Sequence, residues 1–139
     1  MIVLDTNVLS EPLKQRPDER VLAWLASLDE EAGVTAISVG ELLTGVRALP
    51  SGRRRAGLLE AIESTLGAFA GSVLAYDEAA ARQYARLQES RRGAGRPLAV
   101  EDGMIAAICV ARGATLATRN TSDFAGLGLK LVDPWAASS

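Results

Sequence analysis

Residues 2–7 read Ile-Val-Leu-Asp-Thr-Asn, and this stretch decides how the chain begins its fold. The apolar run Ile2–Leu4 is rich in β-branched residues, which is typical of a buried parallel strand. The next three residues, 5–7, are poor strand formers and good helix starters, so the strand ends at Asp5 and a helix over Val8–Leu13 is predicted. A buried strand that leads directly into a helix is the opening unit of an α/β fold.

Strands and helices alternate along the rest of the chain. Further strands are predicted at Gly33–Ile37, Ser72–Tyr76, Thr115–Thr118 and Leu129–Val132. Further helices are predicted at Asp18–Leu28, Ser38 to about Ala48, Arg53–Ala70, Glu78–Arg92 behind an N-cap at Asp77, and Ala99–Arg112 before Gly113. This order predicts an α/β fold, with helices on both faces of a central, mostly parallel sheet of four to five strands. We expect residues 1–139 to form one domain.

The composition limits the possible chemistry. The chain has no histidine, which excludes histidine-dependent ribonucleases, Ser-His-Asp hydrolases and His-Glu-x-x-His zinc peptidases. The single cysteine, Cys109, cannot form an internal disulfide. The N-terminus has no signal-peptide pattern, and the longest apolar run, Met104–Ala111, is too short to span a bilayer. We therefore expect a soluble cytoplasmic protein with no membrane partner.

Four acidic residues lie where parallel sheets gather their functional groups, at strand ends and helix starts: Asp5, Glu41, Asp102 and Asp123. Each alone has a simpler explanation. Asp5 fits a helix cap, Glu41 fits a capping box with Ser38, Asp102 fits the first turn of a helix, and Asp123 fits an ordinary turn.

Together, the four carboxylates predict a cation site. Carboxylates that converge repel one another, so some must be protonated or a cation must compensate their charge. Oxygen ligands of this kind suit Mg²⁺ or Mn²⁺. Such an ion can activate water and stabilise a leaving oxygen in phosphoryl chemistry without any histidine.

Arginine dominates the basic residues and forms two clusters. The net charge is −2, so no overall basic field indicates a nucleic-acid partner. The guanidinium group nevertheless suits phosphate, and the alternative for each residue is a solvated helix face. The two clusters are Arg53, Arg54 and Arg55, and Arg91, Arg92 and Arg96.

Several segments in this order and spacing resemble the PIN-domain family, specifically VapC-type toxin ribonucleases of toxin–antitoxin pairs. They are Ile2–Asn7, Ile37–Leu42, Val100–Ala107, Thr118–Phe124 and Val132–Trp135. The resemblance covers essentially the whole chain and implies a Rossmann-like three-layer sandwich. It also implies Mg²⁺- or Mn²⁺-dependent hydrolysis of RNA phosphodiester bonds.

The resemblance also implies roles for particular residues and partners. By resemblance, the core metal ligands are Asp5, Glu41 and Asp102, the fourth acidic position is Asp123, and the supporting polar residues are Thr6 and Asn120. Glu101 would be a neighbour rather than a ligand. The expected partners are RNA, a small antitoxin protein and a second copy of the chain, with promoter DNA bound only through the antitoxin. We expect the two arginine clusters to contact the RNA backbone.

Two other functions remain open at this point. One is a PIN-like module that only binds a partner, although all four acidic positions are filled. The other is an aspartate-based phosphotransfer domain. The haloacid-dehalogenase type of that domain needs an acid two positions after Asp5, where this chain has Asn7, and the receiver type needs a late lysine that has no match here.

Overall fold

The computed structural model of the chain describes residues 1–136. Its strands are β1 (Ile2–Leu4), β2 (Ala32–Thr35), β3 (Val73–Leu74), β4 (Thr115–Ala117) and β5 (Leu131–Val132). They form one sheet in the order β3-β2-β1-β4-β5, and every neighbouring pair is parallel. The prediction of a central parallel sheet is confirmed.

Helices cover both faces of this sheet. They are α1 (Thr6–Ser10), α2 (Glu19–Ala26), α3 (Ala36–Arg47), α4 (Arg53–Gly67), α5 (Glu78–Gly93) and α6 (Val100–Arg112), with short 3-10 helices at Glu11–Leu13 and Thr121–Phe124. Among residues 1–136, no helix combines the length and apolar character needed to span a bilayer.

The side chains of β1 show why the molecule has three layers. Successive strand residues point to opposite faces of a sheet. Val3 packs into the core that also contains α5 and α6, whereas Ile2 and Leu4 pack into the core on the other face, with α1 to α4. Both cores are built mainly from Val, Leu, Ile and Ala, which confirms the predicted three-layer sandwich.

Several predicted helix ends are confirmed by their caps. The Asp77 side chain accepts a hydrogen bond from the Ala80 amide at 3.0 Å and starts α5. Gly113 ends α6 in the left-handed conformation, with φ of 63°, where glycine is favoured. Asp5 caps α1, because its carboxylate accepts the Thr6 amide at 2.8 Å.

The start of α3 differs from the prediction. Ile37 belongs to the helix rather than to the preceding strand. The N-cap is Thr35, whose hydroxyl accepts the Ser38 amide at 3.1 Å. The predicted capping box of Ser38 and Glu41 is therefore wrong, because Ser38 already lies in the first turn and Glu41 lies further along the helix.

The sheet order places the candidate residues together. β1 is the central strand, and Leu4 pairs with Ala117 of β4. Asp5 and Thr118 therefore leave two neighbouring strands at the same edge. The edge is completed by α3, which follows β2 directly, and by the start of α6.

Candidate active site

Asp5 is a buried carboxylate that is held on both of its oxygens. It is 6% exposed. Its Oδ2 accepts a hydrogen bond from the Thr118 hydroxyl at 2.7 Å, and its Oδ1 accepts the Thr6 amide. Burial raises the pKa of Asp5, and the bonds from Thr118 and Thr6 partly offset this effect by favouring the charged form. The orientation of this carboxylate is therefore fixed by the fold.

Glu41 is linked to the Asp5 segment through a hydroxyl. The Thr6 hydroxyl donates to Glu41 Oε1 at 2.7 Å and lies 2.8 Å from Ser38 Oγ. Glu41 is exposed, whereas Ser38 is fully buried. Thr6 thus connects α1 with α3 and orients the Glu41 carboxylate.

Asp102 lies in the first turn of α6 and is half-buried. Its pKa is raised, first by burial and then by the negative charges of Asp5, Asp123, Glu41 and Glu101. All four predicted acidic positions therefore share one electrostatic environment. Because like charges oppose ionisation there, a cation at this place would lower the free energy of the charged state.

Asp123 is exposed and lies on the 3-10 helix Thr121–Phe124. A chain of hydrogen bonds connects its main chain to Asp5. Thr118, which donates to Asp5, accepts the Asn120 amide at 3.1 Å. The Asn120 carbonyl then accepts the Asp123 amide at 3.0 Å. The main chain of Asn120, rather than its side chain, therefore links Thr118 to Asp123.

The donor set fits a hard divalent cation. The groups around Asp102 are carboxylates, and oxygen ligands of this kind are those that Mg²⁺ and Mn²⁺ prefer. Within residues 1–136, no group of three or more acidic or cysteine side chains lies close enough together to hold a metal ion as the side chains stand. An ion held here by Asp5, Glu41 and Asp102 would therefore need water molecules to complete its coordination.

A groove of about 960 Å³ lies between α3, α4 and the segment around residues 10–15, and Glu41 is one of its lining residues. Arg53 and Arg54 line it together with Glu41, and its interior includes the apolar residues Leu42 and Ile62. Two of the six predicted arginines therefore lie in one groove with an acidic residue of the site.

The remaining arginines are placed differently. Arg55 lies 3.4 Å from the Ser51 hydroxyl, and Arg92 and Arg96 are exposed. Arg91 is only 7% exposed, and its guanidinium donates to main-chain carbonyls, including that of Asp123 at 2.6 Å. In this structure Arg91 is not available to contact RNA, which corrects the expectation for that residue.

Two residues of the site were not singled out from the sequence. Thr118 had a detectable signal, because it ends β4 as Asp5 ends β1, and parallel strands end at one edge. Ser38 was interpreted as an N-cap, and nothing in its local sequence indicated a contact with Thr6.

Comparison with known proteins agrees with this geometry. The family model described as "PIN domain" matches residues 2–128. VapC ribonuclease Y4jK of Sinorhizobium fredii is 45% identical over 137 residues, covering 97% of this chain and 98% of that protein. Toxin FitB of Neisseria gonorrhoeae is 43% identical, with 97% and 99% coverage. The solved structure of FitAB bound to an IR36 DNA fragment contains a chain that superposes with a TM-score of 0.94 at 41% identity, covering 100% of this chain and 99% of that one.

Proposed function

The chain belongs to the PIN domain family, and on that premise we propose that it is a divalent-cation-dependent endoribonuclease that serves as the toxin of a toxin–antitoxin pair. The single observation that carries the catalytic part is the position of Asp5, Glu41 and Asp102 at one edge of the sheet, where Thr6 links the Asp5 segment to Glu41 and where burial, followed by the charges of the neighbouring carboxylates, raises the pKa of Asp102. A cluster of this kind is unfavourable unless it meets a cation.

Asp5, Glu41 and Asp102 would hold the ion, and Asp123 would act through water. When bound, Mg²⁺ or Mn²⁺ supplies activation of a water molecule and stabilises charge on the leaving oxygen. Thr118 orients Asp5, and its hydroxyl bond favours the ionised form against the effect of burial, which raises the pKa of Asp5. Thr6 holds Glu41 in place through its own hydroxyl.

The substrate would approach along the groove that Glu41 shares with Arg53 and Arg54. Guanidinium groups there can bind successive phosphates of a single strand. Arg92 and Arg96 would contact RNA on the side of Asp123, because Arg96 lies 3.4 Å from the carbonyl of the neighbouring Ser122. Arg55 is retained as a weaker candidate because it is half-buried.

The partners follow from the relatives. The relatives' names include a VapC ribonuclease and Toxin FitB, and the FitAB structure contains DNA. We propose that this chain binds RNA as substrate and a small cognate antitoxin as inhibitor, contacts promoter DNA only through the antitoxin, and forms a homodimer. Light scattering on the purified chain would test the dimer.

The decisive experiment combines chelation with Glu41→Gln. Glu41 is exposed and takes no part in the cap of α3, and glutamine can still accept the Thr6 hydroxyl. Folding should therefore remain intact, while most cleavage of a fluorescent single-stranded RNA is lost. At free Mn²⁺ of about 100 times Kd, the wild type should gain about 2.7 kcal/mol of stability and the variant much less.

Glu101→Gln is the matched control, because it removes one neighbouring negative charge that is not a proposed ligand. It should retain cleavage and stabilisation by Mn²⁺. Asp5→Ala controls for contaminating nuclease. Full wild-type cleavage in excess chelator would contradict the metal dependence, and wild-type behaviour of Glu41→Gln would favour a module that only binds a partner.

A further inference from the structure

Arg91 is a buried cation whose partners are main-chain oxygens. Its guanidinium donates to the carbonyls of Asp123 at 2.6 Å, Ala125 at 3.0 Å and Arg96 at 3.4 Å. Among residues 1–136, no carboxylate pairs with it within 4.0 Å. Burying a charge is unfavourable unless it is well hydrogen-bonded, so packing alone gives little reason for an arginine at this position.

The three carbonyls belong to two segments, one that precedes α6 and one that carries Asp123. Arg96 lies in the loop that leads into α6 and hence to Asp102, whereas Asp123 and Ala125 belong to the 3-10 helix and its end. One guanidinium therefore fixes both segments to α5.

A neighbouring side chain on the same helix acts in the same way. Gln88, one turn before Arg91, accepts the Leu98 amide at 3.1 Å and donates to the Leu98 carbonyl at 3.0 Å. Both side chains are buried. The face of α5 that carries them thus binds main chain rather than solvent or substrate.

Hydrogen bonds connect Arg91 to Asp5 without interruption. Asp5 accepts from Thr118, Thr118 accepts from the amide of Asn120, the carbonyl of Asn120 accepts from Asp123, and the carbonyl of Asp123 accepts from Arg91. The Asp123 main chain is therefore held from both sides.

We propose that Arg91 is a positioning residue that fixes the segment carrying Asp123 relative to Asp5, and so places the fourth carboxylate of the site. This inference rests on the proposed function. The planar fork of arginine is the important property, because it reaches several carbonyls in fixed directions, whereas lysine keeps the charge but not the fork.

The test compares Arg91→Lys with the wild type, first without metal. Hydrogen exchange of the amides in residues 120–126 should become faster in the variant. Mn²⁺ affinity, measured by electron paramagnetic resonance, should fall about tenfold or more, as is typical when a group behind a ligand is lost. Val21→Ala is the control, since it removes buried volume on the opposite face of the sheet and should leave both readouts unchanged.

A double-mutant cycle then separates positioning from general destabilisation. In an Asp123→Asn background, Arg91→Lys should no longer reduce Mn²⁺ affinity, although exchange in residues 120–126 should still be faster. An equal loss of affinity in both backgrounds, or unchanged exchange, would overturn the proposal. Arg91→Gln, which keeps one donor group without the charge, serves as a second variant if the lysine variant does not fold.

The two proposals can fail separately. If the wild type neither binds Mn²⁺ nor cleaves RNA, the proposed function is wrong. The exchange measurement then decides whether Arg91 fixes this segment, because it requires neither metal nor substrate.

Discussion

Replacing Thr118 with valine tests whether the fold supports the charge on Asp5. Thr118 is fully buried, and valine has nearly its shape without the hydroxyl. The change removes a charge-assisted bond of 2.7 Å to Asp5 and leaves the Asn120 amide without its acceptor at 3.1 Å. A hydrogen bond to a charged group contributes about 1.5–3 kcal/mol and an orphaned amide costs about 1 kcal/mol or more, so we expect a loss of about 3 kcal/mol with Asp5 ionised.

The loss should depend on pH with a definite sign. The Thr118 bond lowers the pKa of Asp5 in the folded protein, so the pKa is higher still in the variant. The stabilisation that comes from this bond is present when Asp5 is ionised and is lost as the pH falls through the pKa of Asp5. At low pH, a smaller loss of about 1–2 kcal/mol should remain, from the Asn120 amide and from the ordinary hydrogen bond that Thr118 can still donate to the neutral carboxyl group.

Urea unfolding in chelator, from neutral pH downward, measures this difference. Thr118→Ser is the control, because it keeps the hydroxyl and should cost about 1 kcal/mol at every pH for the lost methyl group. Cleavage by the valine variant should fall by about 10- to 100-fold, as for other groups that orient a ligand. A cost of Thr118→Val that is the same across the pH range would refute the reasoning.

Three further outcomes are expected. Without metal, Asp102→Asn should be more stable than the wild type at neutral pH, because burial and neighbouring carboxylates raise the pKa of Asp102 in the folded protein. This gain in stability should vanish as the pH falls to the ordinary pKa of aspartate. A gain that stays constant with pH in urea unfolding would contradict the prediction. Replacing both Arg53 and Arg54 with glutamine should reduce the slope of the log RNA-binding constant against log salt concentration by about 1.4 in magnitude, since each phosphate contact contributes about 0.7. The control Arg82→Gln should leave this slope unchanged. Expression of the wild type without antitoxin should arrest growth and Asp102→Ala should relieve the arrest, so harmless expression of folded wild type would argue against the toxin role.

The sequence predicted the framework well because strand and helix signals were local. Ile2–Leu4 is a strand, Asp77 caps α5 and Gly113 ends α6, as expected. The placement of acidic residues at strand ends and helix starts also brought the four candidate carboxylates into one environment. Their roles as ligands stay predictions.

The errors arose where a side chain had two possible partners. Ser38 and Glu41 have the spacing of a capping box, but Thr35 supplies the cap, and propensity does not distinguish two hydroxyl residues that lie only three positions apart. Arg91 belongs to a basic run that is typical of a solvated face. Arg91 nevertheless lies four positions after Leu87 and so continues the apolar stripe of α5. This helical periodicity could have predicted from the sequence that Arg91 is buried.

The bond between Thr118 and Asp5 joins positions 113 residues apart in the chain. In the sheet, β4 lies beside β1. An N-terminal fragment that ends before β4 therefore contains Asp5 but lacks both Thr118 and one of the two strands that flank β1. During synthesis, this edge of the sheet can therefore close only after β4 and Thr118 have left the ribosome. Premature stop codons almost anywhere before residue 118 should yield fragments that lack the assembled site. If cells that survive expression of the protein are selected, such stop codons should therefore be found along most of the coding sequence.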